Sequence, residues 1–258
     1  MTKESLENDI KIIYDRFYHE AGINPNTGVP KGVDKRFIGM PYLGTQYAIA
    51  KKHILYVGLD QGKDEPVHTF NSKREIISPT AKGYKMIRSR NTFNPHFYGI
   101  YAMTMRLLYK EYGWTELWNK FSEDDTRTAC EAISRNHKVL PVDLIDYIAF
   151  TNAHKFVTID RINRSGSQDR QWNDKIQRKY ELHLLEQEIK VLKPDIVIFQ
   201  GVDFKKIVSF LDIDNSIKTI VMWHPSCHDK YHRSIGYINL VAKELDMVSA
   251  GSKITQIQ

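Results

Sequence analysis

Apolar residues recur at Leu6, Ile10, Ile13 and Phe17, and these spacings of three and four predict an amphipathic helix over residues 4–20. A longer stripe, Ile176, Tyr180, Leu184, Leu185, Ile189 and Leu192, predicts a second helix, which Lys193-Pro194 stops because proline has no N–H and clashes with the preceding turn. Four short runs behave differently. Ile54-Leu55-Tyr56-Val57, Tyr147-Ile148-Ala149-Phe150, Ile196-Val197-Ile198-Phe199 and Thr219-Ile220-Val221-Met222-Trp223 are apolar almost without a break, as strands buried on both faces are. Such strands, separated by helical stretches, predict an α/β fold with three α/β/α layers around a central, mainly parallel four-stranded sheet. No repeat, low-complexity tract or Gly/Pro-rich linker interrupts the chain, so residues 1–258 read as one domain.

Composition narrows the class. Of 258 residues 41% are hydrophobic, enough to fill a core, and 26% are charged, so intrinsic disorder is excluded. No apolar run approaches the ~20 residues a membrane span needs. Met1 to Glu7 lacks the apolar block of a secretory signal, and a cytoplasmic location is expected. The two cysteines, Cys130 and Cys227, are too few and too far apart for a disulfide framework, an iron–sulfur cluster or a four-cysteine zinc site. His224, Cys227, His228 and His232 have spacings that zinc accepts, but Pro225 stiffens the backbone beside the first and no second cluster supplies carboxylates; no metal site is assigned.

The predicted strands run into Gly58-Leu59-Asp60-Gln61-Gly62, Thr151-Asn152-Ala153-His154-Lys155, Gln200-Gly201 and His224-Pro225-Ser226. Open α/β sheets bind ligands beyond the carboxyl ends of their strands, so parallel neighbours would bring Asp60, Asn152 and His224 to one cleft. Singly, each has an ordinary reading: Asp60 as a helix N-cap, Asn152 as a turn former, His224 as a satisfied core imidazole. Their equivalent positions on separate strands carry the functional reading. The glycine-flanked loop 58–62 also suits an anion at a helix start, but it lacks the Lys-Ser/Thr of a P-loop and the third glycine of a dinucleotide fingerprint.

Gly-Leu-Asp-Gln-Gly at 58–62, Phe-Thr-Asn-Ala at 150–153, Lys-Pro-Asp-Ile-Val-Ile-Phe-Gln-Gly at 193–201 and Trp-His-Pro-Ser at 223–226 together resemble the uracil-DNA glycosylase superfamily in order and spacing. The resemblance implies a uracil-DNA-glycosylase-like sheet and an enzyme that flips a pyrimidine nucleotide and hydrolyses its N-glycosidic bond, leaving an abasic site. It implies that Asp60 positions water and stabilises the oxocarbenium-like sugar, and that His224 hydrogen-bonds the pyrimidine C2 oxygen as negative charge collects there. Asn152, donor and acceptor on one amide, would read the base edge; Gln61 and Gly62 would line the pocket; Gly201, Pro225 and Ser226 would meet the DNA backbone. The implied enzyme is monofunctional and uses neither metal nor organic cofactor. A Schiff-base lyase through Lys155 is disfavoured, because nothing in the sequence indicates a lysine of lowered pKa. The implied partner is DNA, duplex or single-stranded, engaged by a monomer with no membrane involved.

Two departures from the family pattern shape the expected substrate. Classical uracil enzymes carry Asp-Pro-Tyr where this chain has Asp60-Gln61-Gly62, and that tyrosine is what bars a C5 methyl. Gly62 omits the barrier, so the expected base is uracil or a 5-substituted pyrimidine such as a phage hypermodified cytosine, in repair or antiviral defence. The apolar wedge expected after His-Pro-Ser is also missing, which leaves His228 or Tyr231 to fill the vacated stack.

Charge indicates where the DNA is held. The chain has 37 basic and 31 acidic side chains, a net +6 with pI about 9.1. From Ile76 to Lys110 there is no acid, and Lys82, Lys85, Arg88, Arg90, Arg106 and Lys110 account for the entire excess, interleaved with Tyr84, Phe93, Phe97, Tyr98 and Tyr101. Cations bind phosphate and aromatic faces stack on unpaired bases, so an insertion over 63–100 is expected to grip a strand, with Phe93, His96 and Phe97 bordering the pocket. Tyr101, Met105 and Leu108 have core spacing, which fits a helix packing inward behind that loop. The alternative from another class is a catalytically inactive nucleic-acid-binding module on the same scaffold. The presence of both Asp60 and His224 argues against it.

Overall fold

The structure, a computed structural model, describes residues 1–24, 29–30, 36–38, 40–59, 95–113, 144–158, 175–222 and 254–256. Helix α1, Lys3–Glu20, follows the predicted stripe and begins at a true cap, Thr2, whose Oγ1 accepts the Ser5 N–H at 3.1 Å. It buries Leu6, Ile10, Ile13 and Phe17 and ends at Gly22, where φ of 66° is free of strain only for glycine. The strands are β1 (Ile23–Asn24), β2 (Val29–Pro30), β3 (Arg36–Ile38), β4 (Tyr42–Leu43), β5 (Ile54–Gly58), β6 (Ile148–Asn152), β7 (Phe156–Thr158), β8 (Ile196–Gln200), β9 (Lys218–Met222) and β10 (Ile254–Gln256). Among the described residues three further α-helices are α2 (Pro95–Tyr112), α3 (Lys175–Leu192) and α4 (Phe204–Val208).

The main sheet has six strands in the order β10-β9-β8-β5-β6-β4. The four strands predicted from sequence are its contiguous centre, β9-β8-β5-β6, and pair in parallel throughout. All five residues of β5, β6 and β8 are buried, as strands covered on both faces require. The expected count of four is corrected to six: β10 adds in parallel beside β9 and β4 antiparallel beside β6. Both additions are too short to generate a pattern of alternation. Strand β6 starts one residue later than predicted, because Leu144–Tyr147 forms a 3-10 turn, and it runs on through Thr151 and Asn152.

Helices cover both faces. On one, Met103, Met105, Leu107 and Leu108 of α2 pack with Ile54, Tyr56, Ile148, Phe150, Ile198 and Ile220. On the other, α1, α3 and α4 pack with Leu55, Val57, Ala149, Val197, Phe199 and Val221. Helix α3 ends as predicted at Leu192, and Lys193 adopts φ of 45° before Pro194 turns the chain toward β8. The polypeptide from 95 to 100, placed in the basic insertion by sequence, is instead the start of α2, with Pro95 at the first helical position where its missing N–H costs nothing. Among the described residues no helix is long and apolar enough to cross a membrane.

Candidate functional site

Strand β5 is paired with β6 on one side and β8 on the other. The chain therefore moves outward from β5 to β6 and then crosses to β8, and the crevice beyond the carboxyl ends at this switch point is where open α/β sheets bind ligands. The four strand-final residues are Gly58, Asn152, Gln200 and Met222, with Gly58 opposite Asn152 and Gln200 opposite Met222. Side chains alternate along a strand, so these four share the face of Tyr56, Phe150, Ile198 and Ile220, the face that α2 covers.

Helix α2 lies antiparallel to β5. Its last turn meets the amino end of that strand, where Lys51 Nζ donates to the Glu111 carbonyl at 2.6 Å and the Tyr112 hydroxyl accepts the Lys51 N–H at 3.1 Å. Its middle meets Tyr56, whose hydroxyl is 2.9 Å from Thr104 Oγ1 and donates to the Ile100 carbonyl at 3.4 Å. The first turn, with His96 and Phe97, therefore reaches the carboxyl edge, and the positive end of the helix dipole is directed there. Arg106 and Lys110 lie on the outer side of α2 against Tyr109, at 4.8 and 5.9 Å from its ring centroid.

Asn152 ends β6, beside the central strand β5, at this edge. Its carboxamide lies across Gly58: a Cβ on that glycine would stand 2.5 Å from Asn152 Oδ1. Only glycine permits the approach. The Asn152 side chain is 5% exposed, and its Oδ1 has no hydrogen-bond partner among the described residues. A buried acceptor left unmade costs about 1–3 kcal/mol, which a donor reaching Oδ1 would recover. Gln200, buried at the equivalent position on the far side of β5, presents a second amide side chain on the same face. Gly201 follows with φ of 148°, a region that side chains avoid, and its N–H donates to the Met222 carbonyl at 2.8 Å.

Behind Asn152, on the opposite face, lies a buried polar cluster that the sequence reading did not find. Lys155 Nζ donates to Glu188 Oε2 at 2.6 Å and to Thr151 Oγ1 at 2.7 Å. Thr151 Oγ1 donates to Glu188 Oε2 at 2.8 Å, and the Tyr14 hydroxyl donates to Glu188 Oε1 at 2.6 Å. Glu181 accepts the Lys155 N–H at 2.8 Å and faces His154 Nδ1 at 3.4 Å. Burial drives the Lys155 ammonium below the ordinary lysine range, with Glu188 pulling the other way, and burial with the Glu188 charge raises Tyr14 well above the usual phenol. The sequence around it carries no sign of this lowered lysine. The amine nevertheless sits on Thr151's face, away from Asn152, held by a carboxylate. A sequence signal did exist. Glu181 and Glu188 fall within the stripe of Leu184, Leu185 and Leu192, and a carboxylate centred on an apolar face requires a buried partner.

Of the residues expected to act together, the structure places Asn152 and Gly201 at the carboxyl edge and carries His96 and Phe97 to it on the first turn of α2. Asp60, Gln61, Gly62, Lys82, Lys85, Arg88, Arg90 and Phe93 lie outside the described residues, as do His224, Pro225, Ser226, His228 and Tyr231. Asp60 follows Gly58 by two residues and His224 follows Met222 by two, so both chain segments depart from this edge. Among the described residues no three His, Cys, Asp or Glu side chains stand together as a metal site requires. No protein-family model matches the chain, and no curated protein matches it.

Proposed function

We propose that this chain is a monofunctional DNA glycosylase that excises a flipped pyrimidine, uracil or a 5-substituted base, on a uracil-DNA-glycosylase-like scaffold. The observation that carries the reading is the Asn152 carboxamide, buried with an open acceptor across Gly58, the end of the strand that borders the switch point. An amide is the side chain that can both donate to and accept from a base edge. Strand order supports the same reading. Neighbouring strands stand ~4.8 Å apart, so the ends of β5 and β9, with β8 between them, are separated by roughly 10 Å, the breadth of a nucleoside. Asp60 departs from one end and His224 from the other. In this mechanism Asp60 orients the attacking water and its charge stabilises the oxocarbenium-like sugar, while His224 donates to the C2 oxygen of the departing base. Asn152 holds the base edge, Gln61 and Gly62 border the ring, and the basic segment around Arg88 and Arg90 grips phosphate. DNA is the partner, and extraction of the nucleotide from the stack precedes the chemistry.

The test is direct. Duplex and single-stranded oligonucleotides bearing uracil, mismatched thymine, 5-hydroxymethylcytosine or its glucosylated form are incubated with the protein, and abasic sites are cleaved with alkali. Cleavage that disappears in Asp60→Ala and falls steeply in Asn152→Ala is the expected result. Binding without abasic sites on every substrate would refute the enzyme and leave a nucleic-acid-binding module.

A further inference from the structure

The chain leaves β6 as Thr151-Asn152-Ala153-His154-Lys155, and this pentapeptide is held on both sides of Asn152. Glu188 of α3 takes the Thr151 hydroxyl at 2.8 Å and the Lys155 ammonium at 2.6 Å; Glu181, two turns earlier on the same helix, takes the Lys155 N–H at 2.8 Å. Tyr14 of α1 secures the other Glu188 oxygen at 2.6 Å. Toward the sheet, the Ala153 and His154 N–H groups donate to the Gly58 and Leu59 carbonyls at 2.9 and 2.8 Å, immediately before Asp60.

Packing alone does not account for this cluster. Lys155 and Glu188 are 1% and 0% exposed, and a buried ion pair is commonly no more stable than apolar side chains of the same volume. What the pair does provide is fixed geometry. Charge-assisted hydrogen bonds in a low-dielectric interior are short and directional, so a rotation at Thr151 or Lys155 breaks several at once. We infer that Glu188 and Lys155 are positioning residues for Asn152, locking the backbone on either side of it so that its carboxamide stands across Gly58 in one orientation. The inference rests on the reading of Asn152 as the residue that meets the base.

Two measurements test it. The first needs no activity: the side-chain amide resonances of Asn152, identified by their loss in Asn152→Ala, are followed in Glu188→Gln, Tyr14→Phe and Thr151→Val. They are expected to shift and broaden while thermal melting stays cooperative; an unchanged Asn152 pair in the folded variants would overturn the inference. Tyr14→Phe and Thr151→Val decide it if Glu188→Gln does not fold. The second is a cycle on the oligonucleotide the protein cleaves. Glu188→Gln should lower kcat by about tenfold to a hundredfold with a smaller change in KM, and should add nothing on the Asn152→Ala background. Equal losses on both backgrounds would mark the cluster as merely structural. Should the wild-type protein excise no base, the proposed function fails, while the amide resonances still decide the positioning.

Discussion

Replacing Gly58 by alanine puts one methyl group into the most crowded point of the carboxyl edge. The new Cβ would stand 2.5 Å from Asn152 Oδ1 and 3.1 Å from Phe150 Cζ, so the carboxamide must retreat by about 0.9 Å to reach an ordinary contact of 3.4 Å. Overpacking of this kind costs about 1–3 kcal/mol. Most of it belongs to one atom. In an Asn152→Ala background the oxygen is gone, and only the 3.1 Å approach to the Phe150 ring remains, which a few tenths of an ångström relieve. Urea unfolding followed by circular dichroism should therefore give a loss in Gly58→Ala that shrinks to under ~1 kcal/mol in the double variant, a coupling of about 1–2 kcal/mol. On a cleaved oligonucleotide, displacing the carboxamide by nearly 1 Å should lower excision on the order of a hundredfold. An equal cost of Gly58→Ala in both backgrounds would show that the carboxamide does not lie across β5.

Other expectations follow from separate parts of the molecule. Burial holds the phenols of Tyr14, Tyr47 and Tyr56 above the ordinary value of 10.0 and pushes Tyr18 up to about 12, so the folded state keeps protons that the unfolded state releases. Their contribution is whole well below pH 10 and falls as pH rises beyond it; Lys155, lowered by burial, works oppositely but only below the ordinary lysine value of 10.5. Phenolate absorbance should show these tyrosines ionising together with loss of helix, and ionisation near pH 10 in an intact fold would contradict it. Lys193→Gly should raise stability by about 0.5–1 kcal/mol, because glycine adopts the left-handed φ of 45° without strain; a lower Tm would count against a strained cap. Reversing Arg88 and Arg90 should weaken binding to any DNA and flatten the slope of log affinity against log salt by about two, whereas an unchanged slope would remove that segment from the interface.

Much of this architecture is legible in one sequence, for a physical reason. A stripe such as Leu6, Ile10, Ile13 and Phe17 and a run such as Ile196 to Phe199 each report a buried surface longer than the noise of composition. Strands β4 and β10 are shorter than two periods of alternation and owe their pairing to neighbours far away in sequence. Asn152 and Gln200 look like the first residues of loops because they are polar, yet they complete ladders opposite Gly58 and Met222. The Glu188 carboxylate was visible as an anomaly on the α3 stripe, but its partner Lys155 is 33 residues away on another element, and no periodicity links the two. Of the three residues expected to converge, the described structure places Asn152; Asp60 and His224 stand just beyond strand ends that the sequence located to within a residue or two.

The hydrogen bond between Tyr14 and Glu188 joins residues 174 positions apart. At translation speeds of ~5–20 residues per second, the N-terminal helix emerges about 9–35 s before the carboxylate that secures it exists. Strand β5, the hub of the sheet, likewise precedes both of the strands that flank it. Through that interval the apolar stripe of α1 has Leu43, Tyr47, Leu55 and Val57 of its own cluster to pack with, but not α3, the helix that completes its cover. Closure of this face of the core therefore waits for α3, and until that helix is made the part of the α1 stripe it covers stays open.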